Sequence, residues 1–289
     1  MLITMKDLLA VAQQHNFAVP AFNTSSSMIL KGVMEACSEK RAPVIIAIHP
    51  DELSFTGQSF VAMVKEEAHR ASVPVCIHLD HGATLDQVVQ AISCGFTSVM
   101  IDASSMSFED NIAITRQVVQ VAHAANVSVE AELGTIGAVD DKGESGANEI
   151  IYTNPHDVET FVRETGVDTL AIAIGTSHGL YPSDKKPQLR LDLLDEIVKL
   201  TDIPLVLHGG SDNPDHEIAQ AVRQGVCKIN ISSDTKKAFY VACREVLKDP
   251  AIREPNAVYP PCIEAMKTVV YQKIDLFNTA DKAHLYCVR

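Results

Sequence analysis

The stretch SVMIDASSMSFEDNIAITRQVVQVAHAANVSVEAEL, residues 98–133, contains one complete structural repeat. It opens with a short apolar run, SVMID (98–102), and closes with another, SVEAEL (128–133). Between them SFEDNIAITRQVVQVAHAAN begins at Ser107 with Asp110 three residues on, a variant of the capping-box pattern, and continues as an amphipathic stretch. The pattern reads as strand, loop, helix, strand.

The same unit recurs in both directions. Short aliphatic runs stand at AVPAF (18–22), VIIAI (44–48), VCIHL (75–79), TLAIAI (169–174), PLVLH (204–208) and VCKINI (226–231). Such runs suit strands buried on both faces, as in a parallel sheet. NPHDVETFVRETG places Asn154 at a helix cap and Pro155 at the first helical position. Gly95, Gly166 and Gly225 stand directly before strands, where glycine supplies a left-handed helix end. Strand alternating with helix gives right-handed crossovers and a parallel sheet. About eight such units match an α/β fold of the (β/α)8 barrel type. The expectation is a single TIM barrel domain over residues 1–289, with an added C-terminal helix at 258–279. An open doubly wound sheet is the competing architecture.

Composition narrows the functional classes. The 289 residues are 46% hydrophobic and 21% charged, with a formal net charge of −13. That balance argues against non-specific nucleic-acid binding, which needs a basic surface. It leaves room for a small anionic substrate at a locally positive site. The start, MLITMKDLL, shows no secretory pattern, and the apolar runs are far short of the ~20 residues that span a bilayer. Cys37, Cys76, Cys94, Cys227, Cys243, Cys262 and Cys287 are odd in number and scattered. Reduced thiols in a cytoplasmic protein fit them better than a disulfide framework.

In a barrel of this type, chemistry sits at the C-terminal ends of the strands. Those ends are polar almost throughout: Asn23, His49, Asp80 and His81, Asp102 and Ser104, Glu132 and Gly134, GTSHG (175–179), HGGS (208–211), then Asn230, Ser232 and Ser233. His81, His178 and His208 can converge on one rim. Three neutral imidazoles with an open position make a catalytic zinc site. His15, His69, His123, His156, His216 and His284 fall in helical or tail segments and read as ordinary surface or core residues. Asp102 and Glu132 either orient a metal-bound histidine or form a second metal position. HGGS and KINISS end the last two strands, the usual phosphate site of the fold. GTIGAVDDKGESGANEIIYTN (134–154) is long and acidic, a candidate lid carrying Asp140 and Asp141.

HLDHG, SVMIDAS, VSVEAELG, GTSHG, PLVLHG and CKINI, in this order, resemble the class II metal-dependent ketose-bisphosphate aldolases, which include the fructose-1,6- and tagatose-1,6-bisphosphate enzymes. The resemblance covers nearly the whole chain. It implies Zn²⁺ on His81, His178 and His208, with Asp102 and Glu132 at a second divalent or a monovalent cation position. It implies Asp80 as the catalytic acid/base. It places the phosphate of dihydroxyacetone phosphate on Gly179, Gly209, Ser211 and the segment Asn230, Ser232 and Ser233, with Asn23 touching substrate. Asp140 stands where the family commonly has a loop glutamate. Gly210 replaces a common alanine, Ser232 a common aspartate of fructose-specific members, and His49 a small or neutral residue. The resemblance further implies a small phosphorylated sugar as substrate, a role in carbohydrate metabolism, and a homodimer or homotetramer without nucleic-acid or membrane partners.

Three rival readings stand beside it. GTSHG fits the nucleophile elbow of serine hydrolases, but Pro182 and Pro187 argue against the helix that must follow Ser177. Lys228 shares a strand face with Asn230 and could form a Schiff base with a ketose. A non-catalytic barrel would be expected to lose ligands that this chain keeps.

Overall fold

The computed structural model describes residues 1–138, 149–181 and 187–286. In chain order the elements are α1 (Met5–Gln14), β1 (Val19–Asn23), α2 (Ser27–Glu39), β2 (Val44–Ile48), α3 (Pro50–Thr56), α4 (Gln58–Arg70), β3 (Val75–Gly82), α5 (Leu85–Cys94), β4 (Ser98–Ile101), α6 (Phe108–Ala124) and β5 (Ser128–Leu133). There follow β6 (Gly137–Ala138), α7 (Pro155–Thr165), β7 (Thr169–Ile172), β8 (Ser177–His178), α8 (Leu191–Ile197), β9 (Leu205–Leu207), α9 (Asp215–Arg223), β10 (Val226–Ile231), α10 (Ser233–Val246) and α11 (Pro255–Leu276). The sheet closes in the order β1–β10–β9–β7–β5–β4–β3–β2, and all neighbours are parallel. This is the (β/α)8 barrel, not the open sheet. The short strands β6 and β8 pair separately above it.

The helix boundaries follow local chemistry. Ser107 caps α6 by accepting from the Asp110 N–H at 3.1 Å. Asn154 caps α7 and Pro155 occupies its first turn, while Gly95 and Gly166 end α5 and α7 in the left-handed conformation. The C-terminal helix begins at Pro255, earlier than expected, because proline is favoured in a first helical turn. His49 does more than end a strand. It caps α3, with Nδ1 accepting from the Asp51 N–H at 3.2 Å and its own N–H donating to Glu52 at 3.1 Å.

Each strand has two buried faces, but they differ in chemistry. The outward face (Ile46, Ile77, Val99, Val129, Leu170, Leu207) packs against the helices in one large apolar core. The inward face begins with an apolar floor, where Val19, Ala21, Ile45 and Cys76 meet Met5, Leu8 and Leu9 of α1. Helix α1 therefore closes the N-terminal end of the barrel. Above the floor the interior turns polar: His78, Ser98, Glu130 and Lys228, then Asp80, Glu132, His208 and Asn230, all buried. The runs read from sequence as apolar strands carry this polar column because side chains on a strand alternate between faces.

Candidate active site

Asp80 and His81 are neighbours on β3, and neighbours on a regular strand point to opposite faces. Here the β3–β4 register shifts between Leu79 and Gly82, and His81 adopts φ 50°. That left-handed backbone is unfavourable for a residue with a Cβ and characteristic of functional sites. It breaks the alternation and brings both side chains to the barrel mouth.

The three sequence-marked histidines meet there. Ring centroids lie 4.6 Å apart for His81 and His208, 5.0 Å for His81 and His178, and 6.3 Å for His178 and His208. One nitrogen from each falls within 4.8 Å of the others. His81 Nδ1 pairs with the Asp102 carboxylate at 2.8 Å, and His208 Nε2 with Glu130 at 2.7 Å. The outer nitrogens, His81 Nε2 and His208 Nδ1, then face each other at 2.8 Å. These two nitrogens share a hydrogen bond, and with its proton displaced both lone pairs, each backed by a carboxylate on the other ring nitrogen, would fit a divalent cation. Asp102 and Glu132 form a second possible cluster with His81. Asp102 thus orients His81 and also stands in the group whose ligand atoms could hold a second cation.

Electrostatics sorts the carboxyls. Burial alone would raise the Asp80 carboxyl, but the neighbouring His81, His208 and Lys228 charges override it and hold it well below the usual range. Asp80 is gripped by Asn23 at 2.7 Å and Asn230 at 2.9 Å, both donating amide N–H. Glu132 goes the other way: burial and the nearby Asp102 charge push it well above the usual range. Burial would lower His81, but Asp80 and the hydrogen bond to Asp102 raise it to about 10. His208, buried and facing His81, is lowered to about 4.

A narrow cavity beside the histidines is lined by Asn23, Asp80, His178, Gly179, Gly209, Ser211, Asn230 and Ser232. The Ser232 Oγ and Asn230 Oδ1 are buried without a protein partner, as is Glu132 Oε2. Ser232 precedes α10 at the capping position but makes no capping bond, and Ser233 opens the helix. The orphaned Ser232 hydroxyl, a donor at a helix N-terminus, suits an anionic ligand, whereas Asn230 Oδ1 can only accept. Gly209 carries φ 63°, and a Cβ on Gly210 would lie 2.7 Å from the Asn230 carbonyl oxygen. The substitution of glycine for alanine at 210 thus matches the tight approach of the two loops. A second cavity, ≈ 420 Å³, opens on the other side of His81 and His178 toward His49 and Ser104. Grooves of ≈ 740 and ≈ 1050 Å³ lie on the outer helices, away from the histidines.

Of the marked rim residues, Asn23, His49, Asp80, His81, Asp102, Ser104, Glu132, His178, Gly179, Gly209, Ser211, Asn230 and Ser232 line the two cavities at this mouth. Asp140 and Asp141 lie outside the described residues. Sequence reasoning passed over Glu130 and Asn213. Glu130 sits two residues before Glu132 on β5, so the strand period was the signal for it. Asn213 Nδ2 donates to the carbonyls of Gly209 at 2.6 Å and Ser211 at 2.9 Å, holding the loop in shape. Lys228 is saturated by both oxygens of Glu130, at 2.7 and 2.8 Å, and by His78 at 3.3 Å. A lysine so bound is a poor imine former. Ser177 lies in β8, and the next described helix, α8, starts only at Leu191, which is not the geometry of a nucleophile elbow.

The family model described as fructose-bisphosphate aldolase class-II matches residues 3–282. A D-tagatose-1,6-bisphosphate aldolase subunit GatY from Klebsiella oxytoca is 39% identical over 275 residues, 94% of this chain and 96% of that one. A 6-phospho-5-dehydro-2-deoxy-D-gluconate aldolase from Bacillus licheniformis is 40% identical over 287 residues, 97% and 96% of the two chains. The crystal structure of the YdjI aldolase from Escherichia coli K12 superposes with a TM-score of 0.85 at 32% identity, covering 98% of this chain and 100% of that one.

Proposed function

The chain belongs to the class-II fructose-bisphosphate aldolase family and is a carbon–carbon lyase, and from that premise we propose that residues 1–289 act as one catalytic domain cleaving a phosphorylated ketose reversibly to dihydroxyacetone phosphate and an aldehyde. Fructose- or tagatose-1,6-bisphosphate, giving glyceraldehyde 3-phosphate, is the family's leading substrate pair. Another phosphorylated ketose is the alternative, in keeping with the differently named relatives.

The observation that carries the reading is the meeting of His81, His178 and His208 beside an ionised Asp80. These histidines would hold the metal, zinc in our reading, which when bound polarises the ketose carbonyl and stabilises the negative charge that cleavage leaves on C3. Asp80 takes the C4 hydroxyl proton during cleavage and returns it during condensation. Asn23 and Asn230 keep its two oxygens in place. Gly179, Gly209, Ser211 and residues 230–233 bind the phosphate, which fixes the substrate's orientation. Asp140 is assigned from sequence as the loop acid that exchanges the proton on the dihydroxyacetone phosphate carbon. Asp102 and Glu132 offer a second cation position.

The six described cysteines are free, which suits a cytoplasmic location, and among the described residues no helix is long and apolar enough to cross a membrane. We assign the active form to a homodimer or homotetramer. Exhaustive chelation should abolish cleavage, and added zinc or cobalt should restore it. Full activity in a chelated sample shown to be metal-free by elemental analysis would refute the metal role.

A further inference from the structure

The two ends of the site differ in how they could meet a phosphate. The narrow cavity has glycine backbone, the orphaned Ser232 hydroxyl and the start of α10. The ≈ 420 Å³ cavity on the other side of the histidines has none of these. Among its described lining residues there is no lysine or arginine, and three carry carboxyl groups: Asp51, Asp102 and Glu132. Apart from His81 and His178, the one basic side chain among the described lining residues is His49. Its Nδ1 accepts from the Asp51 N–H at 3.2 Å and lies 3.6 Å from the Asp51 carboxylate. Lys236 reaches the same rim but is paired with Glu52 at 2.8 Å. The first turn of α3, which begins beside His49, carries Asp51 and Glu52, and these carboxylates already complement the positive end of that helix.

A phosphate dianion bound here would face the Asp51 and Asp102 carboxylates with no lysine or arginine donor among the described lining residues, an arrangement that rejects ligands. What the cavity does offer is neutral: the Ser104 and Ser105 hydroxyls and the Gln87 amide, whose Oε1 accepts from the Ala83 N–H at 2.7 Å and whose N–H groups remain as donors.

We propose that the aldehyde half of the substrate carries no phosphate: it is a neutral polyhydroxy aldehyde whose hydroxyls bind His49, Ser104, Ser105 and Gln87, so that the ketose is a 1-phosphate. This rests on the aldolase reading and narrows its substrate, setting aside the 1,6-bisphosphates.

The zinc-loaded full-length protein separates the two claims. Exchange of the dihydroxyacetone phosphate C–H with deuterated water, followed by NMR without any aldehyde, tests the aldolase reading alone. Condensation of dihydroxyacetone phosphate with glyceraldehyde 3-phosphate is then compared with glyceraldehyde, erythrose and threose. With exchange present, the best neutral aldehyde should exceed glyceraldehyde 3-phosphate in kcat/KM by about tenfold or more. Equal or better use of glyceraldehyde 3-phosphate would overturn the proposal and leave the aldolase reading standing. Absence of exchange would overturn both. Ser105→Arg, at an exposed lining position, should improve kcat/KM for glyceraldehyde 3-phosphate about tenfold, mainly through KM. No gain with that variant would mean that missing positive charge does not set the preference.

Discussion

Glu130 and Glu132 lie two residues apart on β5, face the same interior and are 0% and 1% exposed. Their surroundings push them in opposite directions. Burial would raise Glu130, but the Lys228 ammonium and the adjacent His78 and His208 hold it below the usual carboxyl range. Glu132 meets the Asp102 carboxylate instead, and is pushed up. The level of Glu130 is saturated: its two oxygens bind Lys228 and His208, and His78 Nδ1 binds Ser98 at 2.8 Å. The level of Glu132 is left incomplete, with orphaned atoms on Glu132 and Asn230. A buried polar layer that satisfies itself can act as scaffold, whereas one that does not is shaped for something that arrives.

The sharpest way to break the comparison is at Asp80, in the incomplete layer. Asp80→Ala should keep bound metal by elemental analysis and lose about 10²- to 10⁴-fold in turnover. An unimpaired variant would remove Asp80 from the scheme. Next comes Lys228→Met, in the saturated layer. It leaves Glu130 buried without a counter-charge and should cost about 3–5 kcal/mol of stability by urea unfolding. Glu130→Gln should weaken metal binding about 10- to 100-fold in a competition titration, because His208 loses its charged acceptor. The mildest change is Glu132→Gln. Burial and the Asp102 carboxylate already favour the uncharged form of this side chain, so stability should move by less than about 1 kcal/mol. Equal destabilisation by the two glutamine variants would erase the distinction between the layers.

Much of this was legible in the sequence. The repeat from 98 to 133 is enough to call for parallel strands, because a helix crossover and Gly or Asn punctuation leave local marks. Polar residues at successive strand ends mark the rim in the sequence itself, and His81, His178 and His208 do meet there. His49 shows the limit: its rim position was visible, but its capping of α3 depended on how the chain turned after β2. The polar column inside the barrel was hidden for a different reason. Strand alternation puts Lys228 on the face of Asn230, but a single polar letter inside an aliphatic run does not show which remote groups it will meet until the barrel register is set.

The linear order of residues settled the repeating unit, the strand count and the set of polar groups brought to one rim, since these follow from periodicity and from local capping and turn preferences. Folding in three dimensions decided the rest. The irregularity at His81 lets adjacent side chains share one mouth, and Glu130 takes its charge from Lys228, 98 positions away in the chain. Charge state and ligand direction depend on distances of a few ångströms between remote segments, and only the closed barrel sets those distances.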